Sequence, residues 1–350
     1  MTVLSNPVLI CSQDGRVTLE TRVRPKIADG EILVRMQACG ICGTDMSKVH
    51  DPYFKKPQQL GHELVATVVE TKSPRFKPGQ RVAIAHHAPD YNSHYTKRGS
   101  APMDPVFKSS NIDPAGFAEI IRVPALLVNH TVIAIPPHVP TMRAVFMEPL
   151  ACCLRAMDRV SLIEGDTAVI IGAGAVGILF VPLLRDLCVK TLVLEMRTER
   201  LQLAMEWGAQ GGSVVGEGNI AEIAHAQTDG RGADVVILNV VTAATMNTAM
   251  ETVRDGGTIL IFASKPDNNI MSDWWEIWRR EINLVSSYST TPELLPRAMA
   301  LLSRSDYPLE TLVSHEVPLA DAARGFALVR EGKAGKVVIC NSNEQGQHAS

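Results

Sequence analysis

No segment of this 350-residue chain is long and apolar enough to suggest a membrane span. The longest apolar run, Ala168 to Leu184, is broken by Gly172, Gly174, Gly177 and Pro182. A strand, a turn and a helix explain it better than a bilayer crossing. An excess of one charge is also lacking, since 34 basic and 37 acidic residues leave a net charge of −3. That balance gives no electrostatic case for nucleic acid or an anionic membrane as partner. The 7 cysteines (Cys11, Cys39, Cys42, Cys152, Cys153, Cys188 and Cys340) make no disulfide framework. A reducing, cytoplasmic location is the simpler expectation. The start, Met1-Thr2-Val3-Leu4-Ser5-Asn6-Pro7, has no basic stretch followed by an apolar one, so no signal peptide is expected. No internal repeat or low-complexity tract stands out.

The composition that remains, 46% hydrophobic and 20% charged, is that of a globular protein, and the length favours two domains. The first part reads as β-rich. Strands are expected at Glu31–Met36, Leu64–Thr71, Arg81–Ile84 and Ala118–Val123, with Lys77-Pro78-Gly79-Gln80 turning into the third. Between His86 and Pro114 the chain is polar, proline-rich and without period, as in a long surface lobe. From Asp166 strands alternate with helices. Strands are expected at Thr167–Ile171, Thr191–Glu195, Asp234–Leu238 and Thr258–Phe262, and helices at Ala175–Leu187, Glu199–Trp207 and Ala243–Val253. That order argues for an α/β, doubly wound parallel sheet. After about Ser287 mixed segments return, with a last strand at Lys336–Cys340 and a frayed polar tail at Asn341–Ser350.

Two groups of residues carry chemistry. The first is Cys42, in Gly40-Ile41-Cys42-Gly43-Thr44-Asp45, with His62 and Glu63 in Gly61-His62-Glu63, joined by Glu148 in Phe146-Met147-Glu148-Pro149-Leu150. A sulfur, an imidazole and carboxylates together suit zinc, and three protein ligands leave a fourth position for catalysis. Each has a plainer reading: a buried thiol, a core histidine, a turn, or a helix-start glutamate. A Cys39–Cys42 redox pair is disfavoured because no thioredoxin-like context surrounds it. The second group is Gly172-Ala173-Gly174-Ala175-Val176-Gly177, between an expected strand and an expected helix. Its glycines suit a tight turn, a close approach to a pyrophosphate, and helix–strand packing. Glu195, at the end of the next strand, suits the ribose hydroxyls and would repel a 2′-phosphate. Arg197 and Arg200 keep NADP open beside NAD. The plain alternative is a packing glycine run.

Cys42-Gly43-Thr44-Asp45, Gly61-His62-Glu63, Lys77 to Val82, Gly116-Phe117-Ala118-Glu119, Glu148-Pro149-Leu150 and the glycine run stand in the order found in zinc-dependent medium-chain dehydrogenases. The chain resembles that family over nearly its whole length, and Glu148-Pro149-Leu150 resembles its polyol branch, the sorbitol and L-iditol dehydrogenases. The resemblance implies a GroES-like catalytic domain in two pieces (1–149 and 288–350) around a Rossmann domain (150–287). It also implies an active-site cleft between them, a homodimer or homotetramer, one catalytic Zn2+ per chain and NAD. It carries over Cys42 and His62 as ligands, Glu63 and Glu148 as sharing the remaining role, and Thr44 as the hydroxyl that takes the substrate proton. Gly172, Gly174, Val176, Gly177, Glu195 and Arg200 are the cofactor contacts it implies. Tyr288 falls near a substrate-contacting tyrosine, or simply packs.

Three departures stand out. The lobe at His86–Asn111 has no cysteine quartet, so no structural zinc is expected, although His86, His87, His94 and Asp90 offer a replacement set. Ser47 stands where the family carries an outer relay histidine, with His50 nearby, and Ala66 replaces a usual glycine. Trp274, Trp275 and Trp278 suit packing or a subunit interface. The expected reaction is reversible oxidation of a secondary alcohol: a polyol, sugar alcohol or cyclitol. The alternatives are a simple alcohol or L-threonine as substrate, or a non-catalytic dinucleotide-binding relative.

Overall fold

The computed structural model describes residues 5–51, 54, 57–263, 273–332 and 334–341. The expected tail beyond Asn341 lies outside them. The chain divides into two units, Met1–Ala151 with Thr290–Ser350, and Cys152–Ser289.

The first unit is built on strands. β1 (Ser5–Cys11), β2 (Val17–Val23) and β4 (Gln58–Gln59) form a sheet in the order β2-β1-β4. The larger sheet contains β3 (Ile32–Gly40), β5 (Glu63–Thr71), β6 (Arg81–Ile84), β7 (Ile120–Val123) and β8 (Val132–Ala134). Near the chain end it adds β15 (Val313–Pro318) and β16 (Lys336–Cys340), giving the order β15-β16-β3-β5-β6-β8, with β7 paired to β3. β3 runs four residues past the expected Met36 because it is central. Its far half is buried, with β5 on one side and β16 on the other. Two-sided burial replaces the alternation by which half-buried strands are recognised. The core gathers Val8, Ile10, Met36, Leu60, Leu64, Ile84, Phe117, Ile121, Phe326 and Ile339, among others.

Gly61 lies in the left-handed region (φ +90), and a Cβ there would stand 2.7 Å from the Phe117 amide nitrogen. Gly61 O accepts from Gly116 N (2.9 Å) and Leu60 O from Phe117 N (3.2 Å). Gly61-His62-Glu63 and Gly116-Phe117-Ala118-Glu119 are thus halves of one close backbone contact.

The lobe after β6 is not structureless. It holds helices His94–Lys97 and Pro105–Ser109 and a 3₁₀ turn, Ala101–Met103. Ser93 and Asp104 cap the two helices, accepting from Thr96 N (3.2 Å) and Phe107 N (3.0 Å). Helices this short carry no 3.6-residue period, so pattern reading passes over them.

The second unit is a six-stranded parallel sheet of β9 (Thr167–Ile171), β10 (Lys190–Glu195), β11 (Gly211–Val214), β12 (Ala233–Leu238), β13 (Val253–Ile261) and β14 (Asn283–Ser286). Its order, β11-β10-β9-β12-β13-β14, reverses direction at β9. The crevice beyond the carboxyl end of β9 is therefore the switch point where such sheets bind ligands. The helix expected at Ala175–Leu187 opens instead as a 3₁₀ turn at Gly177–Leu179 and becomes α-helical over Phe180–Asp186. Pro182 falls in the first turn of that α-helical segment, just after the 3₁₀ turn ends. β11 and β14 were not expected. Gly211-Gly212 reads as a turn, but a Cβ on Gly212 would run into the Val193 carbonyl, so glycine serves close strand pairing there.

Candidate metal centre and dinucleotide loop

Sheet register brings the metal candidates together. Gly40, the last residue of β3, pairs with Glu63 on β5 and Val338 on β16. Ile41 and Cys42 then leave the sheet, and the Ile41 amide donates to Val337 O (2.9 Å). Cys42 caps the helix Gly43–His50, and His62 immediately precedes β5. One ligand atom each of Cys42, His62 and Glu63 lies within 4.8 Å of the others. Cys42 is half-buried, His62 and Glu63 buried.

Asp45 organises this group. Its carboxylate is fully buried and accepts from Cys42 N (3.1 Å) and Gly61 N (2.9 Å), tying both motifs to one side chain. His62 Nδ1 stands 3.6 Å from Asp45 Oδ1, too long for a hydrogen bond, and has no other partner. Nδ1 thus faces a carboxylate and Nε2 is left to ligate, the usual arrangement behind a metal-bound histidine. Burial alone would lower the His62 imidazole. The Asp45 carboxylate and the Cys42 sulfur outweigh it and hold His62 well above its ordinary range. Burial likewise would raise Asp45, but His62 and the Gly61 amide hold it below the usual carboxylate value. The groups that favour a proton on His62 favour a divalent cation in its place.

Glu63 forms a buried ion pair with Lys336, whose ammonium also donates to Ile41 O (3.1 Å) and lies 5.9 Å from the Phe146 ring centroid. Glu63 Oε1 has no hydrogen-bond partner. Gly40 makes room for the pair, since a Cβ there would run into Glu63 Oε2 and come within 2.7 Å of Lys336 Cε. A half-buried thiol, a buried imidazole and a buried carboxylate with an unpartnered Oε1 offer soft, borderline and hard donors, a set that fits zinc.

The remaining candidates lie elsewhere in the first unit. Glu148 is buried at the start of the helix Met147–Met157, outside the Cys42–His62–Glu63 group. Thr44 and Ser47 are half-buried in the helix after Cys42, and His50 is exposed at its end. Cys39 is fully buried on β3. Burial first, then Asp45 and Glu63, push its thiol well above the usual value, which leaves it inert. His94 is exposed and meets Tyr95 edge-on, whereas His86 turns toward His62.

In the second unit Gly172 (φ +89) makes the turn after β9. A Cβ on Gly177 would run into Gly172 O, while one on Gly174 would meet nothing nearer than Arg200 Nη1 at 3.9 Å. The second glycine thus leaves the backbone open to a close ligand. Val176 is half-buried on the turn. Glu195 closes the loop: Oε2 accepts from Ala173 N (2.7 Å) and Oε1 from Met196 N (2.8 Å). Tyr288 is exposed, and so are Trp274, Trp275 and Trp278.

Asp45, Lys336 and Asn239 escaped the sequence reading. Asp45 had a signal, because an acid three residues after a cap closes a capping box. Lys336 had none, being a cation in an otherwise apolar strand. Asn239 follows β12, and both its side-chain polar atoms are buried without partners beside Gly177. Such orphans at a switch point call for a ligand.

Residues 28–136 match the alcohol dehydrogenase GroES-like domain and residues 175–304 match zinc-binding dehydrogenase. The chain is 27% identical over 354 residues to sorbitol dehydrogenase of Mus musculus, covering 97% of each. It is 26% identical over 349 residues to erythritol/L-threitol dehydrogenase of Mycolicibacterium smegmatis, covering 93% of this chain and 94% of that one. A candidate zinc-binding dehydrogenase of Sinorhizobium meliloti 1021, solved with NADP, superposes with a TM-score of 0.86 at 25% identity, covering 96% of this chain and 99% of that one. No described helix is long and apolar enough to cross a membrane.

Proposed function

This chain belongs to the zinc-dependent medium-chain alcohol and polyol dehydrogenase family, and from that premise we propose that it transfers hydride between a secondary alcohol of a polyol, sugar alcohol or cyclitol and NAD. The observation that carries the reading is the convergence of Cys42, His62 and Glu63 on one point, backed by Asp45 and Lys336. The relatives named for sorbitol and for erythritol or L-threitol support the substrate class.

Cys42, His62 and Glu63 would hold Zn2+, which when bound supplies a Lewis acid that makes a substrate hydroxyl easier to deprotonate. Asp45 orients His62 and keeps the sulfur-bearing turn in place. Lys336 offsets the Glu63 charge, so that the group carries less negative charge than its donors alone. Glu148, outside the three, is the carboxylate left to bear on the open position. Thr44, half-buried two residues after Cys42, takes the proton released by the alcohol.

In the second unit the glycine turn receives the pyrophosphate, and Glu195, with two carboxylate oxygens already oriented by backbone amides, receives the ribose hydroxyls. Its charge favours NAD. Arg200, beside Gly174, is the group through which NADP would be tolerated. The family's dimers or tetramers are the expected assembly and the cytoplasm the expected location.

The test is a panel of polyols, cyclitols, simple alcohols and L-threonine assayed with NAD and with NADP, alongside metal analysis. About one zinc per chain and preference for a polyol or cyclitol are expected. Preference for a simple alcohol or L-threonine would overturn the substrate class, and a metal-free active enzyme would overturn the site.

A further inference from the structure

β6 runs out into Ala85-His86-His87, whose imidazoles run from His62 to the lobe residues Phe107 and Ser110. The His86 ring lies against His62, with centroids 4.8 Å apart and planes tilted by 37°. His87 lies against His86 at 3.7 Å, and Phe107, fully buried, backs His87 at 5.0 Å. A row of rings thus begins at a candidate metal ligand and ends in the core.

The row is anchored at its far end. His87 Nδ1 donates to Ser110 O (2.5 Å), which leaves Nε2 as an acceptor. Ser110 is itself fixed, accepting from Ala88 N (3.0 Å) and donating to Ala88 O (3.1 Å). Burial lowers His87 to about 4. A neutral imidazole offers one donor and one acceptor, as a hydroxyl does. His86 is half-buried, yet no described residue hydrogen-bonds its ring nitrogens. A ring packed between His62 and His87, with its nitrogens unspent on protein partners, can exchange a hydrogen bond with a ligand.

We propose that His86, held in place by His87, hydrogen-bonds a second hydroxyl of the substrate, on the carbon next to the one oxidised. This rests on the zinc-site reading of Cys42, His62 and Glu63. With the reacting hydroxyl at the centre that His62 serves, the vicinal hydroxyl comes about one hydrogen-bond length away, and the next side chain along from His62 is His86. A monohydroxy alcohol has no second hydroxyl to offer that ring, so the imidazole gains no hydrogen bond from it. The pair would therefore select polyols over simple alcohols.

The experiment compares a butanediol bearing vicinal hydroxyls with the butanol that lacks one of them. The ratio of kcat/KM for diol over mono-alcohol is measured in wild type, H86F, H86A and H86Q, with zinc content determined for each. H86F keeps the ring and loses the hydrogen bond; H86A cannot crowd His62; H86Q restores a donor and an acceptor. The expected result is a ratio that falls about tenfold or more in H86F and H86A, mostly through KM for the diol, and recovers in part in H86Q. Equal losses on both alcohols, or an unchanged ratio, in H86F and H86A would overturn the proposal. A wild-type protein that holds no zinc and oxidises neither alcohol would instead mark failure of the zinc-site reading beneath it.

Discussion

Lys336, on the last strand of the sheet, and Glu63, at the start of β5, form an ion pair sealed from solvent directly behind the Cys42–His62 pair. The side chains are 2% and 0% exposed, so removing either charge strands the other. The register that sets Gly40 between Glu63 and Val338 makes the pair possible, and the missing Cβ of Gly40 gives it space.

Removing the Lys336 charge is therefore expected to be costly. Lys336→Met should destabilise the metal-free protein by about 3–5 kcal/mol, because an uncompensated carboxylate stays buried. The double variant with Glu63→Gln should recover much of that loss. Burial would lower the lysine, but Glu63 and Cys42 raise it above its ordinary value. Its stabilisation is thus fully present below the unfolded lysine value of about 10.4 and is lost only as pH rises through the higher folded one. Urea unfolding at neutral and strongly alkaline pH checks both points, and a K336M protein as stable as wild type would refute the first.

Zinc binding should release protons, since the metal takes the place of the proton that Asp45 and Cys42 hold on His62. Affinity should tighten as pH rises toward the raised His62 value. Asp45→Asn removes the main charge behind that shift and should weaken zinc about 10–100-fold while flattening the pH dependence. Calorimetric titration in two buffers of different ionisation enthalpy counts the protons. In the metal-free protein the Asp45–His62 contact stabilises the fold between the lowered Asp45 value and the raised His62 value. It is lost below the first, as the carboxylate protonates, and above the second, as the imidazole deprotonates.

The two glutamates should separate in a metal assay. Cys42→Ser and Glu63→Gln are expected to lose most bound zinc and activity with the fold retained. Glu148→Gln should keep zinc about tenfold better than Glu63→Gln while losing turnover. Zinc retention in the reverse order would make Glu148 the ligand.

For the second unit, Glu195→Gln keeps an acceptor for the Ala173 amide but gives up the charge. It should raise KM for NAD about tenfold and narrow the preference over NADP. Dinucleotide titration by fluorescence, with both cofactors, reads this directly. Gly177→Ala, whose Cβ would run into Gly172 O, should abolish binding of both.

Much of this was written in local sequence. Cys42 and Gly61-His62-Glu63 read as candidate zinc donors from their chemistry, and the glycine run reads as a candidate dinucleotide turn because only glycine leaves the backbone open. Strands such as Arg81–Ile84 and Lys336–Cys340 are short β-branched runs and were visible as such. The short helices of the lobe left no trace, because one capped turn has no period. β3 past Met36 left none either, because burial on both sides erases alternation.

What local sequence could not hold is any fact about partners far apart in the chain. That Lys336 is a neighbour of Glu63 and not a surface lysine follows from a strand order that sets β16 beside β3. That His86 leans on His62 follows from β6 pairing with β5, which aligns the two strand ends. The sequence determined which donors this protein carries, since donor chemistry belongs to single residues. The tertiary structure decided which charges and rings surround them, since only the register of non-adjacent strands brings such groups within reach.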